Sequence, residues 1–406
     1  MGEATRMRPS RRARELPPSP IRALGPLAEA AKRRGVRVLH LNIGQPDLPP
    51  PPCVVEALAE ASRRPLVYAP ARGLPETVDG WCTYYRRQGI EIEPEEVLVT
   101  SGASEALWLA LLATTDPGDE VLVPEPFYAP YQGLLAAAGL RLVPVPPGPS
   151  LGPPDPVELR ARVTPRTRAI LLCSPANPSG AVWDRAALAA AGELARQAGL
   201  YLLSDETYRE IVFDGPRATS VLELPGLEEH ALVIDSLSKR FNVCGLRIGA
   251  LATRNRAVMA AALELAELRL ALPVIDQLAV TGALAAPRPY VDQVVAAYRA
   301  RRDAVLAVLA AIPGVEAHRP GGAFYIVAGL PVDDAERFAA WLLAEFEYRG
   351  ETVMVTPMRS FYATPGAGRD EVRLALVHAP ETLARAVEIL AAGLAAYPGR
   401  NSRTHS

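Results

Sequence analysis

At 406 residues, the chain is long enough for two domains and a large buried core. Hydrophobic residues make up 49% of it and charged residues 22%, and the formal net charge of −2 creates no field that would draw it to nucleic acid or an anionic membrane. No run of about 18 apolar residues occurs, so no membrane-spanning helix is predicted. The basic start of the chain lacks the apolar run of a secretory signal.

The cysteines indicate the compartment. There are four, Cys53, Cys82, Cys173 and Cys244, with no CxxC pair and no histidine at zinc-ligand spacing. This scatter argues against a disulfide framework and against a metal site, and it favours a reducing compartment. We therefore expect a cytoplasmic protein without a bound metal.

Residues 1–20 are predicted to form a loosely ordered arm. The middle of the chain then alternates helical patterns with short apolar runs that are rich in Val, Ile and Leu. These runs are EVLVT (96–100), DEVLVPEP (119–126), RAILLCSP (168–175), LYLLSDETY (200–208), ALVIDSLSK (231–239) and RIGALAT (247–253). Such alternation predicts an α/β fold with a mainly parallel, seven-stranded sheet between helices, in a large domain over residues 45–290.

From about residue 290 the pattern changes. Helical periodicity over 292–311 is followed by GGAFYIVAGLP, a helix at 333–347, TVMVTP, EVRLALV and a last helix at 380–396. This order indicates a smaller α+β domain over residues 291–397. We expect residues 21–44 to complete it from the N-terminal side.

Polar residues follow three of the apolar runs. Asn177, Asp205 and Lys239 each come at the carboxyl end of a predicted strand, where an open parallel sheet has its ligand crevice. Each one alone is typical of a capping or turn residue. Lys239 stands out further because only it and Lys32 are lysines among the 43 basic residues.

Together these residues suggest a site for pyridoxal phosphate. A lysine amine forms a Schiff base with this cofactor, whereas a guanidinium stays protonated and cannot. The carboxylate of Asp205 could hold a proton on the pyridine nitrogen. Tyr208 and Asn177 could donate hydrogen bonds to the phenolate oxygen of the ring.

The phosphate of such a cofactor needs donors. In TSGASEAL, residues Gly102, Ala103 and Ser104 lie at a strand-to-helix turn, where free N–H groups and the helix dipole favour an anion. Further donors are Ser236, Ser238 and Arg247 from the lysine segment. The chain has neither GxxxxGK[ST] nor GxGxxG, so a nucleotide is disfavoured.

The chain resembles the fold-type-I, class I and II pyridoxal-phosphate-dependent aminotransferases over nearly its whole length, and within them the bacterial aspartate aminotransferases. The motifs that carry the resemblance are LNIGQPD (41–47), TSGASEAL (100–107), EPFYAPY (125–131), NPSG (177–180), SDETY (204–208), SLSKRFNVCGLRIG (236–249), GGAFY (321–325) and VRLAL (372–376). The resemblance implies transfer of an amino group between an L-amino acid and a 2-oxo acid, through an internal aldimine on Lys239, an external aldimine with the amino acid, and pyridoxamine phosphate.

Further residue roles come only from this resemblance. It implies that Tyr128 stacks on the pyridine ring and that Arg373 clamps the substrate α-carboxylate, close to the backbone of Gly44. It also implies that Tyr68 reaches the phosphate of a neighbouring subunit, so that a homodimer shares its active sites. Without the resemblance, Tyr68 and Arg373 would be interpreted as ordinary surface or core residues and Gly44 as a turn glycine.

Some alternatives stay open on the sequence alone. A lyase, a decarboxylase or an amino-acid oxidase of the same fold would keep the same cofactor residues. Two other classes are disfavoured: a transcription regulator would need a winged-helix domain of roughly 60–70 residues ahead of NIGQPD (42–47), and a Rossmann oxidoreductase would need a glycine fingerprint that this sequence lacks. Some bacterial aspartate enzymes have a lysine for the second substrate carboxylate where this chain has Ser104, and residues 1–44 or Arg359 are the alternative sources of a cation.

Overall fold

The computed structural model describes residues 7–16, 22–215 and 217–401. Much of the predicted N-terminal arm lies outside these residues. Within its described part, Arg11–Glu15 form a short helix, and the Ser10 Oγ accepts a hydrogen bond from the backbone N–H of Ala13.

Helices occupy the predicted segments 292–311, 333–347 and 380–396, with ends that differ by a few residues, and other parts of the chain as well. In chain order, those in the described residues are α1 (Arg11–Glu15), α2 (Gly25–Arg33), α3 (Pro52–Ala61), α4 (Pro75–Arg87), α5 (Gly102–Thr114), α6 (Pro130–Ala138), α7 (Pro156–Ala161), α8 (Arg185–Ala198), α9 (Arg256–Glu267), α10 (Val274–Ala285), α11 (Arg288–Leu309), α12 (Ala335–Ala344) and α13 (Pro380–Ala396). The limits of α8 have a local cause. Asp184 caps its first turn by accepting from the Ala187 N–H, and Gly199 ends it in the left-handed conformation.

The strands in the described part of the chain form three sheets. They are β1 (Arg37–His40), β2 (Val97–Thr100), β3 (Glu120–Pro124), β4 (Arg141–Val145), β5 (Thr167–Cys173), β6 (Tyr201–Asp205), β7 (Ala231–Ser236), β8 (Gly249–Ala252), β9 (Glu316–Ala317), β10 (Tyr325–Gly329), β11 (Glu351–Met354), β12 (Thr356–Pro357) and β13 (Glu371–Ala375). The largest sheet has seven strands in the order β2-β8-β7-β6-β5-β3-β4. Only β8 runs in the direction opposite to the other six strands, so the predicted mainly parallel, seven-stranded α/β sheet is confirmed.

Helices cover both faces of this sheet. Successive side chains of a strand point to opposite faces, and β5 illustrates the result. Its residues Ile170 and Leu172 belong to one buried apolar cluster, while Ala169 and Leu171 belong to another. Because both faces are buried, the strands show continuous apolar runs in the sequence rather than alternation.

Six of the seven strands correspond to apolar runs that are visible in the sequence, and β4 does not. It lies at the edge of the sheet, where it pairs only with β3. Its side chains are mostly half-buried, and Pro144 interrupts its apolar pattern. A proline is compatible with an edge strand because one side of the strand needs no partner.

The two smaller sheets involve both ends of the chain. The strand β1 pairs in parallel with β11, whereas β12, β13, β10 and β9 form an antiparallel sheet. The predicted boundary between residues 290 and 291 falls inside the first turn of α11. The division into domains stays a prediction. None of the helices in the three described ranges is long and apolar enough to cross a membrane.

Strand pairing sets the position of the site. In the ladders, Cys173 of β5 lies beside Asp205 of β6, which lies beside Ile234 of β7. The carboxyl ends of these three parallel strands therefore lie side by side, at one end of the sheet along the strand direction. The loops that follow them form the floor of a cavity there.

Candidate active site

A cavity of about 510 Å³ lies at the carboxyl ends of β5, β6 and β7. It collects the site residues predicted from the sequence, except Tyr68 and Gly102. Those that line it are Gly44, Ala103, Ser104, Tyr128, Asn177, Asp205, Tyr208, Ser236, Ser238, Lys239, Arg247 and Arg373. They come from segments separated by more than 300 residues of chain, so the fold assembles the cavity.

Lys239 lies in the loop after β7, and its Nζ donates a hydrogen bond to the Gly44 carbonyl at 2.8 Å. Burial lowers the pKa of Lys239 to about 8, and the positive charges of Arg247 and Arg373 act in the same direction. A lysine with such a pKa has a substantial neutral fraction near physiological pH. Only the neutral amine is a nucleophile or a base.

Asp205 ends β6 and is 8% exposed. Its Oδ2 accepts a hydrogen bond from the Tyr131 hydroxyl at 2.6 Å, and its Oδ1 accepts one from the Thr207 N–H at 3.1 Å. Burial raises the pKa of Asp205, while the hydrogen bonds from Tyr131 and Thr207 oppose this rise. The carboxyl group is therefore held in one orientation and would be stabilised as an anion by a cationic partner in the cavity.

Arg373 and Asn177 form a hydrogen-bonded pair in the wall of the cavity. The Arg373 Nη1 donates to the Asn177 Oδ1 at 2.9 Å, and its Nη2 donates to the Asn42 carbonyl at 2.6 Å. The guanidinium also lies 4.4 Å from the centre of the Tyr325 ring. These contacts orient the planar group before any ligand binds. A planar donor pair of this kind suits a carboxylate.

Two tyrosines form a hydrogen-bonded pair inside the cavity. The Tyr208 and Tyr325 hydroxyls are 2.9 Å apart. A Cβ at Gly44 would lie 1.8 Å from the Tyr325 hydroxyl oxygen, so this position accepts only glycine while Tyr325 keeps its place. The backbone of Gly44 thereby approaches both Tyr325 and Lys239.

Anion donors gather at the start of α5. No side chain caps this helix, so its first N–H groups, at residues 102–104, are available to an anion. The Arg247 guanidinium lies close by, since a Cβ on Gly102 would be 2.5 Å from its Nη2. Nearby, the Ser236 Oγ donates to the Ser238 Oγ at 2.8 Å. Helix dipole, hydroxyls and guanidinium together suit a phosphate.

Tyr68 lies outside this cavity. Its side chain is 81% exposed, and it lines a separate cavity of about 960 Å³ together with Leu66, Val67 and residues 269–276. Within one chain it therefore does not meet the other predicted site residues. Its predicted role requires a second subunit.

Several site residues were not predicted. Tyr131 and Tyr325 lie within the motifs EPFYAPY and GGAFY, but their contacts could not be derived from spacing. Thr207 lines the cavity, and its Oγ1 is buried without a hydrogen-bond partner. Arg22 also lines the cavity and carries no sequence signal, since it is one arginine among many.

A family model described as "Aminotransferase class I and II" matches residues 36–390. The chain belongs to this family. The aspartate/prephenate aminotransferase of Thermus thermophilus is 35% identical over 390 residues, which cover 93% of the chain and 97% of that relative. The arginine–pyruvate transaminase of Pseudomonas aeruginosa is 35% identical over 371 residues, which cover 90% and 92%.

Solved structures agree with this assignment. A mutant of Thermus thermophilus aspartate aminotransferase superposes on this aminotransferase with a TM-score of 0.87 at 34% identity, covering 96% of the chain and 100% of that structure. An alanine aminotransferase from Pyrococcus furiosus gives a TM-score of 0.87 at 29% identity, with 95% and 99% covered. The predicted family, fold and reaction class are therefore confirmed.

The depressed pKa of Lys239 leads to a test in the cofactor-free aminotransferase. Because burial lowers this pKa from 10.5 to about 8, Lys239 should acylate half-maximally near pH 8. Acetic anhydride labelling from about pH 6 to 11, read by peptide mass spectrometry, would measure it, with Lys32 as the internal reference for reagent reactivity. The folded state binds this proton more weakly than the unfolded chain. Lys239 should therefore cost stability below pH 8, and this cost should vanish as the pH rises towards 10.5. Half-maximal labelling near pH 10.5 would contradict the interpretation.

Proposed function

We propose that this aminotransferase binds pyridoxal phosphate at Lys239 and transfers the amino group of an L-amino acid to a 2-oxo acid. The observation that supports it most is the convergence of three groups in one cavity: the buried amine of Lys239, the carboxylate of Asp205 and the guanidinium of Arg373. These are the groups needed to hold a carbonyl cofactor, to pair with its ring nitrogen and to bind the carboxylate of an amino acid.

The residues of the cavity fit the proposed cofactor. The start of α5, Ser236, Ser238 and Arg247 would hold its phosphate, while Asp205 would pair with its pyridine nitrogen. Tyr208 and Asn177 would donate to its phenolate oxygen, and Tyr128 would lie against its ring. The unpartnered Thr207 Oγ1 supplies one further buried polar atom inside the cavity.

When bound, pyridoxal phosphate supplies a carbonyl carbon and a ring that stabilises negative charge on the substrate α-carbon. The remaining chemistry belongs to the chain. Arg373, oriented by Asn177 and the Asn42 carbonyl, would bind the substrate α-carboxylate and so fix the α-carbon relative to Lys239. The Lys239 Nζ would take the proton from that carbon and return it, because its pKa of about 8 leaves it able to do both near neutral pH.

Arg22 is the cation that we assign to the distal end of the substrate. Ser104 offers no charge there, and Arg359 is already paired, with its Nη2 2.5 Å from the Asp334 Oδ2 and its Nη1 3.2 Å from the Glu336 Oε2. Arg22, by contrast, lines the cavity. The cavity's other cations, Lys239, Arg247 and Arg373, are assigned above to the cofactor and the α-carboxylate. We therefore propose an acidic side chain on the preferred substrate.

The proposal includes a homodimer in the cytoplasm. Tyr68 lines one cavity together with Leu66, Val67 and Leu270, and these three neighbours are 54–71% exposed. Contiguous exposed apolar residues of this kind mark interfaces. A second copy of the chain would cover them and bring Tyr68 to a neighbouring phosphate site. The four free cysteines support a reducing compartment.

The reaction itself can be tested by stoichiometry. With an L-amino acid alone, the protein loaded with pyridoxal phosphate should release about one equivalent of 2-oxo acid per site and then stop, until a 2-oxo acid acceptor is added. Lys239→Ala should abolish this release and the visible absorption of the bound cofactor, whereas Lys32→Ala should change neither. Sustained release of ammonia or carbon dioxide, or oxygen uptake, without an acceptor would indicate another reaction type.

The role of Arg22 can be separated from that of Arg373 by substrate preference. Arg22→Ala should lower kcat/KM for aspartate and glutamate by about 3- to 10-fold, as expected for an exposed charge pair, and leave neutral amino acids unchanged. Arg373→Ala should lower kcat/KM for all amino acids by about 30-fold to several-thousand-fold, because a desolvated carboxylate loses its partner. Equal losses on acidic and neutral substrates in Arg22→Ala would refute the assignment, and Arg359→Ala is the matched control.

Shared active sites can be tested by complementation. A mixture of inactive Tyr68→Ala and inactive Lys239→Ala subunits should recover part of the activity, because one site of each hybrid dimer would contain both intact residues. Subunit exchange would be verified with differently tagged chains by native mass spectrometry. Verified hybrids without activity would show that the sites are not shared.

A further inference from the structure

A group of buried ions lies behind the cavity, on the other side of the segments that carry its residues. We call Glu206, Arg209, Glu210, Asp235 and Arg240 the buried ion cluster. Each is at most 3% exposed. None of them lines the cavity, and none is used by the reaction as described above. A cluster of five buried ionisable side chains needs a physical reason, since a charge is costly to remove from water.

Three members of the cluster are chain neighbours of site residues. Glu206 follows Asp205, Asp235 precedes Ser236, and Arg240 follows Lys239. In each pair one residue lines the cavity and the other enters the cluster. A shift of the cluster would therefore move the backbone from which the cofactor-facing residue projects.

Asp235 connects these segments. Its Oδ1 accepts a hydrogen bond from the Arg240 Nη2 at 2.7 Å and one from the Ser236 N–H at 2.7 Å. Its Oδ2 accepts from the Tyr85 hydroxyl at 3.1 Å and lies 3.7 Å from the Arg209 Nη2. One carboxylate thus links the strand before Ser236, the residue after Lys239 and the segment after Asp205.

Aromatic rings hold the two arginines in place. The Arg240 guanidinium lies 4.7 Å from the centre of the Tyr84 ring, and the Arg209 guanidinium lies 5.1 Å from that of Tyr85. The Tyr84 hydroxyl accepts from the Arg209 Nη2 at 3.1 Å and donates to the Glu210 Oε2 at 2.7 Å. Stacking and hydrogen bonds together leave each guanidinium one orientation.

Stability alone does not explain this arrangement. A buried ion pair is often no more stabilising than apolar residues of the same volume, because desolvation offsets the attraction. Several donor atoms of the cluster also make no hydrogen bond, namely the Arg209 Nε and the Arg240 Nε and Nη1, although the Arg240 Nε lies 3.5 Å from the Glu210 Oε2. What such a cluster supplies is a single geometry with little freedom to shift.

We propose that Asp235 is a positioning residue for the transamination site, because its carboxylate fixes Arg240, and with it Lys239, relative to Ser236 and the segment that follows Asp205. The proposal rests on the function proposed above. Asp235 touches neither cofactor nor substrate and acts through the backbone. Its loss should therefore affect how well the reacting groups are aligned more than how tightly the amino acid binds.

The test compares two buried carboxylates of the large sheet, one near the carboxyl end of its strand and the other at the first residue of its strand. Asp235→Asn is the test variant. Glu120→Gln is the matched control, since Glu120 is likewise buried (2% exposed, against 0% for Asp235) and paired with an arginine, at 2.8 Å from the Arg166 Nη2, but lies at the start of β3. For each holoenzyme we would measure kcat, KM for the amino donor, the visible circular dichroism of the bound cofactor and the thermal midpoint.

Asp235→Asn should lower kcat by about 10- to 100-fold with KM within about 3-fold, because small misplacements of reacting groups have effects of this size. The visible circular dichroism band should lose intensity, because it reports how the bound cofactor is held. Glu120→Gln should lower the thermal midpoint while leaving kcat and the band unchanged. The same kcat and the same band in both variants, with only the thermal midpoint affected, would overturn the proposal.

Arg240→Lys and Tyr85→Phe keep the test decisive if Asp235→Asn does not fold. The first keeps the charge but removes the planar fork, and the second removes one hydroxyl and no charge. Each should show the same pattern with a smaller loss of kcat, and wild-type values in both would overturn the proposal. The wild-type protein and Glu120→Gln report separately on the proposed function. If neither of them transaminates, the proposed function is wrong, and this outcome is distinct from a failure of the role assigned to Asp235.

Discussion

The arrangement of the site depends on the in-register pairing of three parallel strands. Cys173, Asp205 and Ile234 lie side by side in β5, β6 and β7. Because parallel strands end at the same edge, the loops that follow them must converge. Asn177, Asp205 and Lys239, which are dispersed in the sequence, reach one cavity for this reason. The buried apolar layers on both faces keep the register, since a slip of one residue would reverse every side chain.

Much of this could be read from the sequence. The continuous apolar runs of β5, β6 and β7 indicated strands buried on both faces, and the motifs around Lys239 and Arg373 indicated the family. Spacing within a motif is local information, so it identified residues that project from one loop. The edge strand β4 was not predicted because its exposure and Pro144 remove the apolar signal.

What the sequence could not supply were contacts between distant segments. The hydrogen bond from Tyr131 to Asp205 and the pair of Tyr208 and Tyr325 join residues 74 and 117 positions apart. The position of Arg22 at the cavity depends equally on how the N-terminal segment packs. No local pattern encodes such contacts, because they are set by the shape of the assembled core rather than by neighbouring residues.

In the segments at the ends of β6 and β7, adjacent residues face opposite sides, and this limits the sequence changes that the protein can accept. At Asp205–Glu206 and Lys239–Arg240, one residue lines the cavity and its neighbour is buried behind it. A substitution there alters one side only. A gain or loss of a single residue would exchange the two sides, moving a guanidinium into the cavity and the amine against buried rings. Insertions and deletions should therefore be tolerated less in these segments than in loops such as the proline-rich residues 146–156.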